Sequence, residues 1–479
     1  MIKFGTEKTG KSIFQNLISD FFKLSGFGFI LLILTNCSPK TSSVSLPVEP
    51  PQHFSESGTY EMPQKWWTVF DDETLNALID SALQSNFSLQ TAWQRLRASQ
   101  AVLDRESAPL FPSLNATGNA EINNRQSEFQ QSQRFRLGLY SEYEVDLWGR
   151  IRANIDAQNY QVAATFADYQ AAAISLSAEV ARIYFQLIEA RNQLNLAEKQ
   201  VETNEKVLQL LKVRFGSGQI RSVDILRQVQ LLESTREQQI FAESRLQVLQ
   251  HALAVLLGKT PQTEIQLSNS VLPELPPIPE TGVPAELIER RPDVRSALNL
   301  LQAADRDLAA AISNQYPRIT ISASISTGAY DIQDLIADWG RGIAGDLLAP
   351  LFRGNELSAE VDRAEAVKQQ RLYEYGDAVL TAFREVEDAL VQEKQQAKSI
   401  ESLERQVELA MQTNQQLRSE YLNGMSNYLD VLIALDEEQQ LRRDLVNSKL
   451  ALLEYRIALY RAIAGNIETE REIADNENL

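Results

Sequence analysis

Residues 134–145 read Arg-Phe-Arg-Leu-Gly-Leu-Tyr-Ser-Glu-Tyr-Glu-Val. Phe135, Leu137, Leu139, Tyr143 and Val145 alternate with Arg134, Arg136, Tyr140, Glu142 and Glu144. A period of two puts these sets on opposite faces of a strand, one greasy and one wet. Upstream, Leu114, Ala116, Gly118, Ala120 and Ile122 alternate with polar residues. Downstream, Ile319, Ile321, Ala323 and Ile325 alternate with Thr320, Ser322, Ser324 and Ser326, and a weaker glycine-rich segment runs from Trp339 to Ala349. The pattern predicts strand hairpins over 113–146 and 317–350. Strands of about ten residues with one apolar face suit a membrane barrel. The half-buried sheet of a soluble domain has the same periodicity, so the strands by themselves leave both readings open.

Proline placement organises the rest. No proline occurs from 113 to 260, and none follows Pro350. Because proline breaks helix interiors, both stretches are free to form very long helices. Leu208, Leu211 and Phe215, then Leu246, Leu249 and Leu253, carry helical spacing; Val379, Ala382, Phe383, Val386 and Leu390 repeat it. Mixed charge fills the other positions, as on a solvated face. Helices of about 60 residues would reach ~90 Å and must pack as coiled-coil-like pairs. Gly216-Ser217-Gly218 and Asn423-Gly424 interrupt the rods and predict tight reversals.

The two halves repeat each other. At an offset of 205, Leu96, Ala98, Pro112 and Leu114 match Leu301, Ala303, Pro317 and Ile319. At 206, Val180, Phe215, Gly218, Asp224 and Leu226 match Val386, Tyr421, Gly424, Asp430 and Leu432; at 207, Gly258 matches Gly465. Each unit reads helix, strand pair, long helix, reversal, long helix, which predicts repeats over 66–258 and 284–465. A linker, 259–283, joins them, and an acidic tail, 466–479, follows.

The start of the chain reads differently. Lys3, Lys8, Lys11 and Lys23 precede the apolar run from Phe27 to Leu34, the layout of a secretory signal over 1–36 and too short to span a bilayer as a mature helix. Leu34-Thr35-Asn36-Cys37 resembles a bacterial lipoprotein box, with Asn36 departing from the small residue usual before the cysteine. Cys37, the only cysteine, is then the acylated first residue of a Pro-, Ser- and Thr-rich tether over 37–65. Ser38 suits sorting to the outer membrane, because the aspartate linked to inner-membrane retention is missing.

Composition narrows the function. A net charge of −18 excludes nucleic acid as a natural partner, since phosphate binding needs clustered cations. Only His53 and His251 are present, far apart, so no histidine metal site is expected. There is no phosphate loop, no HExxH, no cysteine nucleophile and no serine elbow, so neither catalysis nor a cofactor beyond the lipid on Cys37 is expected. Four strands per chain leave open edges, and in hydrocarbon every unpaired backbone group costs several kcal/mol. A spanning sheet must therefore be closed by two or three copies. The long helices are too charged for lipid and must stand in an aqueous compartment.

Specific segments then resemble the TolC family, in particular its lipoprotein branch, of NodT type, in resistance-nodulation-division efflux systems. They are Trp66-Trp67-Thr68-Val69-Phe70-Asp71-Asp72 with Leu75, Leu78, Ile79, Ala82 and Leu83; Tyr143 through Arg150; Val283 through Arg295, followed by Tyr316-Pro317; Pro350-Leu351-Phe352-Arg353-Gly354; and Tyr421 through Leu432. The similarity runs in family order from about residue 64 to 465. It implies a mainly α fold with a membrane β-barrel portion: a trimeric duct whose three chains share a twelve-stranded barrel, with long helices forming a periplasmic α-barrel. The linker and both chain ends would belt the tunnel, and Gly149, Pro350 and Gly354 would mark the joints between strands and helices. It implies an outer-membrane exit duct for small toxic compounds, with a periplasmic adaptor and an inner-membrane pump as partners.

By the same resemblance the periplasmic gate falls on Leu429, Asp430 and Ile433, near Ser426. Asp430 matches one member of the family's acidic gate ring. Ile433 stands where many members have a second aspartate, and Ser426 where some have an arginine latch, so this gate is more apolar. Gly218, Asp224, Tyr421 and Gly424 are the candidates for adaptor contact. Trp66 and Trp67 are expected to fill hydrophobic gaps; Arg290, Arg291 and Asp293 are expected to cap the helix after Pro292. Two other functions compete: a duct for type I protein secretion, and a lipid-anchored coiled-coil scaffold without a pore.

Overall fold

The computed structural model describes residues 48–124, 131–265 and 271–472. The signal segment 1–36, Cys37 and residues 473–479 lie outside the described residues. The elements, in order, are α1 (Glu73–Ser85), α2 (Phe87–Ser107), β1 (Ser113–Asn124), β2 (Gln131–Val145), α3 (Arg150–Gly216), α4 (Ser222–Leu256), α5 (Pro284–Arg290), α6 (Pro292–Ser313), β3 (Arg318–Ala329), β4 (Gly340–Leu348), α7 (Glu356–Leu422) and α8 (Tyr428–Ile463). Both α3 and α7 are 67 residues long, about 100 Å of rise, but the returning helices are only 35 and 36 residues. The chain divides into two compact units.

One unit, from Gln100–Val162 and Leu300–Arg371, holds the four strands. They form one antiparallel sheet in the order β1-β2-β3-β4. Its register gathers the period-two pattern into faces. Ala116 lies opposite Leu139, which lies opposite Ile325; Val145 faces Ile319, which faces Leu347. On the other face Asn115 meets Tyr140, Glu142 meets Ser322, and Glu144 meets Thr320, which meets Asp346. Among the described residues nothing covers the apolar face: Leu114, Leu139, Ile325, Ile343 and Leu347 are all exposed. An uncovered sheet face of this kind is suited to lipid.

The segment joining β2 to α3 shows why its residues are of these types. Asp146 accepts the backbone N–H groups of Ile151 and Arg152, both at 3.0 Å, and so satisfies the first turn of α3. Arg150 pairs with Glu144 at 2.8 Å. Trp148 stacks on Tyr316 with ring centroids 4.9 Å apart, and its indole N–H donates to the Pro317 carbonyl at 2.7 Å. Buried alanines Ala153, Ala309 and Ala310 let the flanking helices approach closely.

The second unit comprises Leu46–Ser99, Ala163–Asn299 and Leu372–Leu479. Its core is built around Trp66 and Trp67, both fully buried, with Phe70, Tyr184, Phe185 and Tyr460. The Trp66 indole donates to Ser177 Oγ at 3.1 Å, and the Tyr184 hydroxyl to Asp72 at 2.6 Å, which satisfies two of the polar tips of this apolar cluster. Helix α3 is apolar enough over 18 residues to span a bilayer by composition, yet most of that window is buried inside the protomer, as a core helix.

One expectation from the sequence is corrected by the fold. Arg290 and Arg291 cap the C-terminus of α8 rather than the start of α6. Arg290 donates to the Ile463 carbonyl at 2.9 Å and Arg291 to that of Ala462 at 3.2 Å. A cation at a helix C-terminus meets carbonyls that lack intrahelical partners. Arg291 also pairs with Asp293 at 2.7 Å and Glu385 at 2.8 Å. Burial pushes the Asp293 carboxyl up, but the Arg291 guanidinium outweighs it and holds the group below its ordinary value. Only the fold brings the end of α8 beside Arg291, 171 residues away in sequence.

The N-terminal segment and the inter-repeat linker lie side by side. Gly58 N–H donates to the Pro279 carbonyl and Glu280 N–H to that of Tyr60. Arg456, buried against Glu393 at 2.6 Å, also donates to the Pro277 carbonyl at 3.1 Å and so ties the linker to α8.

Candidate gate at the helix reversals

Both reversals use one backbone device. At the end of α3, Gln219 N–H returns to the Arg214 carbonyl and Gly218 N–H to that of Phe215. After α7, Met425 N–H returns to Glu420 and Gly424 N–H to Tyr421. These paired bonds close the orphan carbonyls of each helix and require a left-handed residue. Gly218 and Gly424 supply it, with φ of +75° and +77°. A Cβ at either position would meet nothing within 4 Å, so backbone conformation, not crowding, calls for glycine.

The returning helices are capped from within. Asp224 is buried and accepts the Arg221 backbone N–H at 3.3 Å, with the Arg221 guanidinium 3.5 Å away. Its carboxylate therefore serves the start of α4. Asn427 caps α8 by accepting the Asp430 N–H at 3.2 Å. Asp430 sits in the first turn, half-buried, where helix N–H groups favour an anion, and accepts from the Ser426 hydroxyl at 3.3 Å. Leu429 is half-buried and Ile433 is 56% exposed. Val213, Phe215, Leu422 and Met425, at or next to the two reversals, are exposed apolar residues as well.

Behind this surface, Leu211, Tyr428 and Val431 form a small core with Tyr421 packed against it. The rings of Tyr421 and Tyr428 lie 5.6 Å apart, and the Arg214 guanidinium is 4.7 Å from the Tyr421 ring. Burial pushes the Tyr428 phenol well above its ordinary value, so it stays a hydrogen-bond donor, and its partner is Gln228.

A buried polar ladder continues along the helices. Asn204 and Gln439 exchange amide bonds at 3.3 Å, Asn204 donates to Thr235 at 2.9 Å, and Gln200 donates to the Gln439 carbonyl at 3.1 Å. These bonds lock the α3–α4 hairpin to α8. The periodicity of the sequence does not single out Asn204, Gln228, Tyr428 or Gln439 as functional. A signal existed: Asn204 and Gln228 are polar residues set in apolar helical stripes, Asn204 four residues before Leu208 and Gln228 four before Leu232.

Comparisons with known proteins agree with this architecture. The profile of the family described as outer membrane efflux protein matches residues 78–259 and 283–465. The chain is 31% identical over 429 residues to the pyoverdine export outer membrane protein OpmQ of Pseudomonas aeruginosa, covering 85% of this chain and 89% of that protein. Its fold is similar to the crystal structure of CusC, with a TM-score of 0.80 and 27% identity over 90% of this chain and 99% of that one. It is similar to the outer-membrane channel OprN to the same TM-score, at 28% identity, over 90% and 98% of the two chains. The chain belongs to the outer membrane efflux protein family: it has the fold of one protomer of a trimeric TolC-like channel, and serves as an outer-membrane exit duct for efflux with its helical portion in the periplasm.

Proposed function

We propose that three copies of this chain close one duct, and that its helix reversals form both the gate and the docking end for a periplasmic adaptor. Through the adaptor the duct serves an inner-membrane pump of the resistance-nodulation-division type and passively conducts small toxic compounds. Residues 1–36 act as the signal segment, and Cys37 carries the lipid.

The observation that carries the gate is the exposed Ile433 above a half-buried Leu429, one helical turn apart at the start of α8. Repeated around a threefold axis, these side chains make an apolar ring. Asp430 adds three carboxylates, whose summed negative charge attracts cations. The Asp430 carboxylate accepts from the neutral Ser426 hydroxyl, so closure rests on apolar contact, not on an ionic latch. Gly218, Tyr421 and Gly424 lie on the reversals and meet the adaptor, while Asp224 supports them from inside as a cap.

Planar-bilayer recording tests the gate. Replacing both Leu429 and Ile433 by alanine should raise single-channel conductance several-fold, and Asp430→Asn should weaken cation preference. Conductance and selectivity unchanged in both variants would place the constriction elsewhere.

A further inference from the structure

The joints between strands and helices contain a second interaction surface. β1 and β4 are the two free edges of the sheet. Just before β1 lie Leu110 and Phe111, 42% and 72% exposed; just after β4 lie Leu351 and Phe352, 95% and 90% exposed. Apolar side chains this bare, flanking two open edges, call for a partner that brings an edge of its own.

The chain contains a template for that partner. Between β2 and β3 the equivalent joint is closed: Trp148, three residues past β2, stacks on Tyr316, two residues before β3. This stack continues the β2–β3 register, in which Val145 faces Ile319. The internal repeat relates the two joints residue by residue. Leu147-Trp148 corresponds to Leu351-Phe352 at an offset of 204, and Phe111-Pro112 to Tyr316-Pro317 at 205. The partner of Phe352 is thus Phe111, and both belong to open edges, so the two must come from different copies.

We propose that Phe352 of one protomer stacks on Phe111 of the next, an aromatic clasp between subunits that copies the Trp148–Tyr316 stack within one. The inference rests on the homotrimer proposed above. It also sets the register of the β4–β1 seam: Leu347 opposite Ala116, Asp346 opposite Thr117, and Ile343 opposite Ala120 of the neighbouring protomer. All nine residues of β4 then find partners within β1. The parity agrees with the faces, because Leu347 and Ala116 are apolar-face residues and Asp346 and Thr117 polar-face residues. A slip of one residue would put Leu347 opposite Asn115 or Thr117 and reverse both faces. Phe352 has no indole N–H, so the bond from Trp148 to a backbone carbonyl has no counterpart, and the clasp rests on ring contact and burial.

Disulfide trapping decides it. With Phe111→Cys and Phe352→Cys in the same full-length chain, mild oxidation in detergent should yield covalent dimers and trimers on non-reducing gels. Neither single variant should do so, which also controls for Cys37. Phe111→Cys with Leu351→Cys, one residue out of register, should cross-link several-fold less. Light scattering reports assembly independently. A trimer mass without the disulfide overturns the clasp and leaves the trimer standing; a monomer mass overturns both. Without cysteines, Phe352→Ala should lower the temperature at which the trimer dissociates in SDS, while Phe111→Tyr with Phe352→Trp should restore it. Failure of that rescue in folded protein would also overturn the clasp.

Discussion

At the scale of single residues, most charges on this chain solvate long helices, and the few buried ones are structural. Arg291 and Arg456 each hold carboxylates and backbone carbonyls from distant segments, so each joins parts of the fold that sequence separates. Glu472 is a buried acid with a consequence for pH. Burial pushes its carboxyl up, with repulsion from Glu468 adding to it, to about 7 from an ordinary 4.5. Between those values the folded form holds a proton that the unfolded form has lost. The stability this group lends is therefore complete below about 4.5 and declines as pH rises toward about 7. Hydrogen exchange of the segment Ile467–Glu472, corrected for intrinsic rates, should show weaker protection at pH 8 than at pH 5. Glu472→Gln should abolish that difference; a difference that persists would assign it to another group.

At the scale of elements, the long helices owe their packing to apolar stripes but their alignment to polar breaks in those stripes. Asn204 and Gln439 are both buried and bonded to each other. Removing Asn204 leaves the Gln439 side-chain amide without this partner, and removing Gln439 leaves Asn204 Oδ1 without this donor, each in a dry site at roughly 1–3 kcal/mol. Removing both leaves no orphan between them. Asn204→Leu and Gln439→Leu should therefore each lower thermal stability, and the double variant should lose far less than their sum. Simple additivity would mean the two amides are not coupled. In the doubly apolar protein conductance should also change, since fewer polar bonds, those of Gln200 and Tyr428 among them, would then hold the register of the hairpins.

At the scale of the whole molecule, the sheet makes sense only as part of an assembly in lipid. Ile343 is 85% exposed in the protomer and stands on the apolar face. A lysine there would meet hydrocarbon, at ~2–4 kcal/mol near the membrane midplane. Ser322 and Thr320 occupy the opposite face, where a charge would meet water. Ile343→Lys should reduce the fraction of trimer folded into vesicles, whereas Ser322→Lys should insert normally and change ion selectivity. Equal insertion of both would mean that the faces have been assigned the wrong way round.

Sequence by itself determined the periodic parts of this protein. Strand faces, helical stripes and glycine reversals were legible because a strand repeats every two residues, a helix every 3.6, and a left-handed turn demands glycine, whereas the returning helices, at 35 and 36 residues, are shorter than the long rods the spacing suggests. The internal repeat was legible for the same reason: it is a pattern along the chain. What only the tertiary structure decided lies between distant segments. The capping of α8 by Arg290 and Arg291, the Tyr428–Gln228 bond and the Asn204–Gln439 pair join residues up to 235 positions apart. Each is a polar group made tolerable in a dry interior by a partner that no local spacing announces, and the partner is chosen by how the helices pack.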